Sequence, residues 1–161
     1  MFYFPPTIIL RHRKENLNKC SLKGLQRRPD LIFFTYPLKQ SLPPLENYCM
    51  LTLNAPPLTL YDAERGILII DGTWRYADKM IRQLPTKQID KRSLPSYFRT
   101  AYPRRQQDCP DPEKGLASIE ALYLSYVILQ RNTEGLLDHY YWKTLFLKIN
   151  QLDFSLRNLL S

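Results

Sequence analysis

The residues with the clearest chemical potential lie in the stretch RGILIIDGTW, which runs from Arg65 to Trp74. Its run of four apolar residues, Ile67–Ile70, is typical of a strand buried on both faces of a sheet. The run is followed directly by a carboxylate, a flexible glycine, a hydroxyl and an indole, at Asp71, Gly72, Thr73 and Trp74. Because ligands bind at the carboxyl ends of strands in open α/β sheets, the pattern predicts a ligand site here. The alternative is that Asp71 and Thr73 only satisfy the turn.

Most conventional catalytic and metal-binding patterns are missing from the sequence. Five glycines in the whole chain form neither a P-loop nor a GxGxxG motif. The three cysteines, Cys20, Cys49 and Cys109, have neither CxxC nor zinc spacing, which predicts reduced thiols and no metal site. His139 lies in the apolar-aromatic stretch LLDHYYW, which favours a packed side chain over a catalyst. His12 follows the first apolar run and is placed to face a ligand.

The positive charge of the chain is concentrated in its first two thirds. The formal net charge is +8, and residues 1–105 carry 18 Lys+Arg against 8 Asp+Glu. Two basic runs, Arg11–Arg28 and Arg75–Arg105, predict a polyanionic partner such as RNA. The alternative is ordinary solvated surface on a basic protein. The candidate RNA contacts within the two runs are Arg11, Lys19, Lys23, Arg27, Arg28, Arg75, Arg99, Arg104 and Arg105.

Apolar runs punctuated by prolines predict an α/β arrangement in the first half of the chain. The runs predict strands over Thr7–Leu10, Leu31–Tyr36, Cys49–Leu53 and Ile67–Ile70. A short helix is predicted over Thr59–Arg65 with Thr59 as its cap. A longer helix is predicted from Trp74, capped by Thr73, to about Leu84, before Pro85. Strands separated by helices predict a mostly parallel sheet.

The second half of the chain shows no strand pattern. A long basic and aromatic segment, Leu94–Pro112, precedes predicted helices over 117–130, 133–149 and 152–160. We therefore expect an α/β domain over residues 1–92 and a helical domain over residues 93–161.

The composition also bears on where the protein works. No window approaches the ~18–20 uninterrupted apolar residues of a membrane span. The basic cluster near the N-terminus follows the apolar stretch, whereas a secretory signal has the opposite order. We therefore expect a cytoplasmic protein without a membrane partner.

Taken in order, five segments resemble the DTW-domain superfamily, and within it the ribosomal-RNA aminocarboxypropyltransferases of ribosome biogenesis. The segments are Asn18–Leu25, Arg65–Met80, Lys91–Pro103, Lys114–Leu129 and Asp138–Asn150. The resemblance implies a SPOUT-like fold, in which a mostly parallel sheet contains a deep trefoil knot and an all-helical C-terminal part follows. It also implies S-adenosylmethionine (SAM) as cofactor, RNA as partner, no metal and a monomer.

The same resemblance implies a reaction and a site. The aminocarboxypropyl group of SAM would be transferred to a uridine or pseudouridine ring nitrogen of small-subunit rRNA, releasing methylthioadenosine. Asp71 would be the general base. The residues expected to bind the cofactor are Ser21, Leu51, Leu53, Trp74, Ala77, Leu94, Leu116, Ala117 and Ser118.

The sequence departs from the ribosomal branch at one point, and this departure leaves the identity of the substrate open. Gly72 and Thr73 stand where the ribosomal branch often has a cysteine and a serine. The alternatives are a tRNA aminocarboxypropyltransferase, a SAM-dependent RNA methyltransferase of the same fold, and a non-catalytic RNA-binding factor of ribosome assembly.

Overall fold

A parallel sheet organises the residues that the computed structural model describes, which are 3–17, 20–84, 89–103 and 115–152. Within these ranges the sheet has five strands in the order β2-β1-β4-β3-β5, and every pairing is parallel. The strands are β1 (Thr7–His12), β2 (Leu31–Tyr36), β3 (Tyr48–Leu51), β4 (Gly66–Asp71) and β5 (Asp90–Arg92). The prediction of an α/β fold with a mostly parallel sheet is therefore confirmed.

The apolar runs identified four of these strands, and the fifth was missed. β2 has the predicted bounds, whereas β1 extends to His12 and β4 begins at Gly66. β3 ends at Leu51, so Leu53 lies in the loop that follows rather than in the predicted strand. β5 has the sequence DKR and pairs with β3 at the edge of the sheet. Its backbone pairs with β3, and Asp90 and Arg92 form ion pairs with Arg65 and Asp62, so no apolar pattern marks it.

Alternate residues of the central strands face two different layers. On one face, Ile9, Ile67 and Ile69 belong to a core that also contains Leu122 and Tyr126. The last two lie on helix α2 (Ser118–Ile128). This core therefore joins residues from both sides of the predicted boundary at residue 92.

The opposite face packs against the helix that follows β4. There, Ile8, Leu10 and Leu68 form a second core with Met80 of helix α1 (Trp74–Gln83). α1 begins at the predicted residue and ends just before Pro85, as expected. Because both faces are covered, β1 is buried throughout and β4 is buried at every residue except the half-buried Ile70.

In the second half of the chain, the structure corrects one predicted helix and confirms another. The helix predicted over 133–149 is limited to α3 (Lys143–Ile149), and residues 134–139 form turns. Gly135 lies in this turn region at φ +76°, a conformation that favours glycine. α2 falls within the predicted 117–130, whereas the helix predicted over 152–160 lies, from residue 153 onward, outside the described residues.

The short helix predicted over 59–65 is a single 3₁₀ turn, Leu60–Asp62, and Thr59 caps it as expected. Across the described ranges, every helix is too short or too polar to cross a bilayer.

Candidate functional site

A cavity of about 590 Å³ lies at the carboxyl edge of the sheet. Its walls come from the end of β3 and the loop after it, the end of β4, the first turns of α1, the segment after β5, and the start of α2. These elements meet because parallel strands bring all their carboxyl ends to one edge. The volume lies within the range of about 300–1,000 Å³ typical of small-molecule and cofactor sites. The cavity is therefore large enough for a cofactor.

Seven of the nine residues expected to bind the cofactor line this cavity. They are Leu51, Leu53, Trp74, Ala77, Leu94, Leu116 and Ser118. The other two lie close by: Ala117 is buried at the N-terminus of α2, and Ser21 accepts a hydrogen bond from the backbone N–H of Ile119 at 3.2 Å. The lining residues among them come from four separate segments of the chain, and the role of each residue in binding stays a prediction.

Asp71 is the centre of a buried polar cluster beside the cavity. One carboxylate oxygen accepts a hydrogen bond from Arg11 Nε at 3.0 Å, and the other accepts one from Ser118 Oγ at 2.8 Å. The Cys20 thiol lies 3.5 Å from the first oxygen, and Arg11 Nη2 donates to Cys20 Sγ at 3.3 Å. Asp71 is 6% exposed as a residue and does not line the cavity, whereas Ser118 does. The Ser118 hydroxyl therefore links the Asp71 carboxylate to the cavity.

Arg11 differs from its expected role as an exposed RNA contact. It is 8% exposed, forms an ion pair with Asp71 and lies over the ring of Phe33 at 5.0 Å. The register of β1 and β4 places Arg11 directly beside Asp71, and a buried carboxylate requires such a partner. Arg11 thus belongs to the interior of the site rather than to its surface.

The remaining candidate RNA contacts fall into three groups. Arg28 is half-buried and donates to Asp30 and to the carbonyl oxygens of Glu134 and Asn132, so it ties two loops together. Four candidates are exposed, namely Lys23, Arg27, Arg75 and Arg99. Three lie outside the described residues, namely Lys19, Arg104 and Arg105.

Glu120 is a structural residue of the site that the sequence analysis missed. It is fully buried, and its carboxylate accepts hydrogen bonds from Thr100 Oγ1 at 2.6 Å, Ala101 N at 2.8 Å and Ala117 N at 2.7 Å. These bonds attach the segment after β5 to the first turn of α2. A glutamate three residues after a helix N-cap was the available signal, although Ala117 supplies no hydroxyl for the other half of a capping box.

Thr73 occupies the N-cap position of α1, but it does not cap the helix with its side chain as predicted. Among the described residues, its hydroxyl forms no capping hydrogen bond. Instead, its backbone N–H donates to a carboxylate oxygen of Glu15 at 3.0 Å. A negative charge at this end of the helix is favoured by the helix dipole.

His12 is packed in the structure rather than open to a ligand. Its ring stacks on Tyr76 with centroids 4.1 Å apart, and its Nδ1 accepts from the backbone N–H of Lys14 at 3.1 Å. Burial lowers the pKa of His12, and the positive charges of Lys14 and Arg13 lower it further. The ring is therefore neutral at physiological pH. Within the described ranges, no three His, Cys, Asp or Glu side chains are grouped to hold a metal ion.

The fold is similar to that of a solved structure, "Structure of the SAM-dependent rRNA:acp-transferase Tsr3 from Vulcanisaeta distributa". The two chains superpose with a TM-score of 0.70 and are 24% identical, and the match covers 92% of this chain and 80% of that chain. The two chains share one fold. No protein-family model and no curated protein sequence matches the chain.

The polar cluster generates a prediction about the Cys20 thiol. Burial, together with the nearby Asp71 carboxylate, raises the pKa of Cys20 to about 11. Because the thiolate is the reactive form, iodoacetamide at pH 8 should alkylate Cys20 about 100-fold more slowly in the native protein than in urea. Peptide mapping by mass spectrometry, with rates followed over time, measures this ratio for each cysteine.

The same shift predicts the pH dependence of stability. Since the folded-state pKa lies above its ordinary value, the protonated thiol contributes stability that is present below pH 9.0 and is lost as the pH rises toward about 11. Equal alkylation rates at pH 8 in native protein and in urea would contradict this description of the cluster.

Proposed function

We propose that the chain transfers the aminocarboxypropyl group of SAM to a ring nitrogen of uridine or pseudouridine in small-subunit rRNA and releases methylthioadenosine. The observation that carries the proposal is the cavity at the sheet edge. Seven residues that the sequence resemblance assigns to SAM converge there. The similarity of the fold to a SAM-dependent rRNA acp-transferase supports the same conclusion.

The chemistry of the cavity suits SAM. Apolar side chains such as Leu51, Leu94 and Leu116 offer surface for a flat aromatic base. Thr52 Oγ1 is buried at the cavity wall without a hydrogen-bond partner among the described residues, so it is available to a polar group of the ligand. The N-terminus of α2 reaches the cavity through Leu116 and Ser118 and is favourable for a carboxylate.

The cavity wall formed by α1 is placed to determine which group of SAM is transferred. Trp74 and Ala77 are three residues apart on the helix, so they share a face, and both line the cavity. When bound, SAM supplies an aminocarboxypropyl group on a positively charged sulfur. We propose that this apolar wall holds the methyl group of SAM away from the RNA nucleophile. The γ-carbon of the aminocarboxypropyl group is then left in line for attack.

The polar cluster suits removal of the proton from the ring nitrogen. As the N–C bond forms and the C–S bond breaks, the N–H proton must leave. Ser118 Oγ lines the cavity and donates to Asp71, whose other oxygen is held by Arg11. We propose that Ser118 accepts the nitrogen proton while its own proton passes to Asp71. Asp71 is then the general base, acting through Ser118.

Other parts of the proposal rest on the sequence. These are threading of the chain as a deep trefoil knot in a SPOUT-like topology, an all-helical C-terminal part, a division into domains at residue 92, and a monomer in the cytoplasm. The resemblance supports the knot and the monomer, and the composition supports the cytoplasm.

The activity is tested by supplying SAM labelled either in its carboxyl carbon or in its methyl group. The purified protein is incubated with small-subunit rRNA and, in parallel, with total tRNA. We expect the carboxyl label to enter rRNA without the methyl label, because the apolar wall selects the group that is transferred.

Each other result supports a different function. Transfer of the methyl label indicates an RNA methyltransferase, and carboxyl label in tRNA alone indicates a tRNA aminocarboxypropyltransferase. Tight RNA binding without either label indicates a non-catalytic assembly factor.

The proton route is tested with Ser118→Ala. This substitution leaves the Arg11–Asp71 ion pair intact but removes the hydroxyl between Asp71 and the cavity. Single-turnover transfer should fall by roughly 10²-fold, within the range of general-base catalysis. SAM affinity by calorimetry should change little, because Glu120 and Ser21 still hold the first turn of α2. Ser96→Ala is the matched control, because Ser96 also lines the cavity. Its transfer rate should stay near that of the wild type.

Asp71→Asn extends the test. It should slow transfer by a similar factor, and it should also lower the melting temperature because it leaves Arg11 buried without its partner. Near wild-type transfer by Ser118→Ala would end the proposed route, and the same result for Asp71→Asn would end the general-base role.

A further inference from the structure

Tyr97 is an exposed aromatic ring at a ligand cavity. It lines the cavity, yet 71% of the residue remains exposed to solvent. The ring is tilted against Phe98 with centroids 4.6 Å apart, and Phe98 itself is buried in the core. An aromatic ring that is supported on one side and exposed on the other can accept a flat ligand by stacking.

The residues that directly follow Tyr97 are held in place by hydrogen bonds. The Asn150 side chain accepts from Arg99 N at 2.7 Å and donates to Arg99 O at 2.8 Å. The next two residues, Thr100 and Ala101, donate to the buried carboxylate of Glu120. Because the backbone is already ordered, a ligand that stacks on Tyr97 loses little affinity to the ordering of this segment.

A positive charge lies two residues after Tyr97 on the same segment. The Arg99 guanidinium donates to the carbonyl oxygen of Ser96 at 2.8 Å and to that of Phe98 at 3.4 Å, so its position relative to the segment is fixed. The residue is exposed. An exposed aromatic ring and an exposed arginine on one segment can together bind single-stranded nucleic acid, through base stacking and phosphate attraction.

We propose that Tyr97 is the platform on which the target nucleobase stacks at the mouth of the cavity. The proposal rests on the function proposed above, and it names the residue that receives the RNA base. A uridine in a loop of folded RNA is unpaired or is extruded from its stack, and the exposed ring replaces the stacking that the base loses. The base is then held next to the cavity that SAM occupies.

The test compares the binding of a fluorescent single-stranded octauridylate by anisotropy, at low salt and with saturating SAM. Tyr97→Ala should weaken oligonucleotide binding by about tenfold, the usual effect of removing one stacking ring. Tyr97→Phe keeps the ring and should bind within about twofold of the wild type. Tyr61→Ala is the matched control, because Tyr61 is 99% exposed and does not line the cavity. Its affinity should be unchanged.

Calorimetric titration of SAM distinguishes an effect of the substitution on RNA binding from an effect on cofactor binding. We expect Tyr97→Ala to bind SAM with wild-type affinity and to melt at the wild-type temperature, since the ring is exposed. Unchanged octauridylate affinity in Tyr97→Ala would overturn the proposal. It would equally be overturned if SAM affinity fell as much as oligonucleotide affinity, because the ring would then belong to the cofactor pocket.

The outcome also separates this proposal from the proposed function. If Tyr97 governs octauridylate binding but small-subunit rRNA receives no label from SAM, the stacking platform stands and the transferase activity fails. If the wild-type protein binds no octauridylate at low salt, the stacking platform is overturned directly.

Discussion

The buried carboxylate of Asp71 is the interaction on which the arrangement of the site depends. It joins Arg11 on β1, its own strand β4, and Ser118 at the start of α2. A carboxylate with so little exposure is stable only if donors satisfy both oxygens, and here they come from residues far apart in sequence. The hydrogen bond from Ser118 to Asp71 therefore attaches the first turn of α2 to the edge of the sheet, and the ion pair with Arg11 holds the carboxylate in place. That turn forms one wall of the cavity.

Two further side chains hold the segment after β5, which forms another wall of the cavity. Glu120 binds the backbone of Ala101 and Ala117, and Asn150 binds both backbone groups of Arg99. Long loops are usually mobile, but this segment is attached at successive residues to buried or half-buried side chains. The cavity is thus preformed by hydrogen bonds between segments, on a scaffold set by the parallel sheet. Preformed walls of this kind suit a reaction that depends on the position of one carbon atom relative to another.

The strands of the central sheet were predictable because burial on both faces requires continuous apolar runs, as in β1 and β4. β5 was not predictable, because its three polar residues are held by backbone pairing and by ion pairs to distant residues, which no local pattern marks. The helix predicted over 133–149 was wrong in its first part for a different reason. Leu136, Leu137 and Tyr140 are buried as the helical pattern required, but they reach the core from turns.

The cofactor-site residues were predictable because the sequence resemblance named them. The environment of a residue such as Arg11 was not predictable, because pairing between distant strands decides it. Leu51, Trp74 and Leu116 line one cavity as that resemblance implied, although the cavity itself could not be derived from their spacing. Arg11 was assigned to the surface because its neighbours along the chain are basic. Its true environment comes from the register of β1 with β4, which places it beside a carboxylate sixty residues away in sequence.

The central claim is that the cavity at the carboxyl edge of the sheet binds SAM, and the most direct test is a calorimetric titration of SAM into the wild-type protein and Trp74→Ala. Trp74 is half-buried and lines the cavity, so removal of its indole should weaken SAM binding by about 2–3 kcal/mol while the protein stays folded in a thermal melt. A folded Trp74→Ala variant that binds SAM with wild-type affinity would contradict the account.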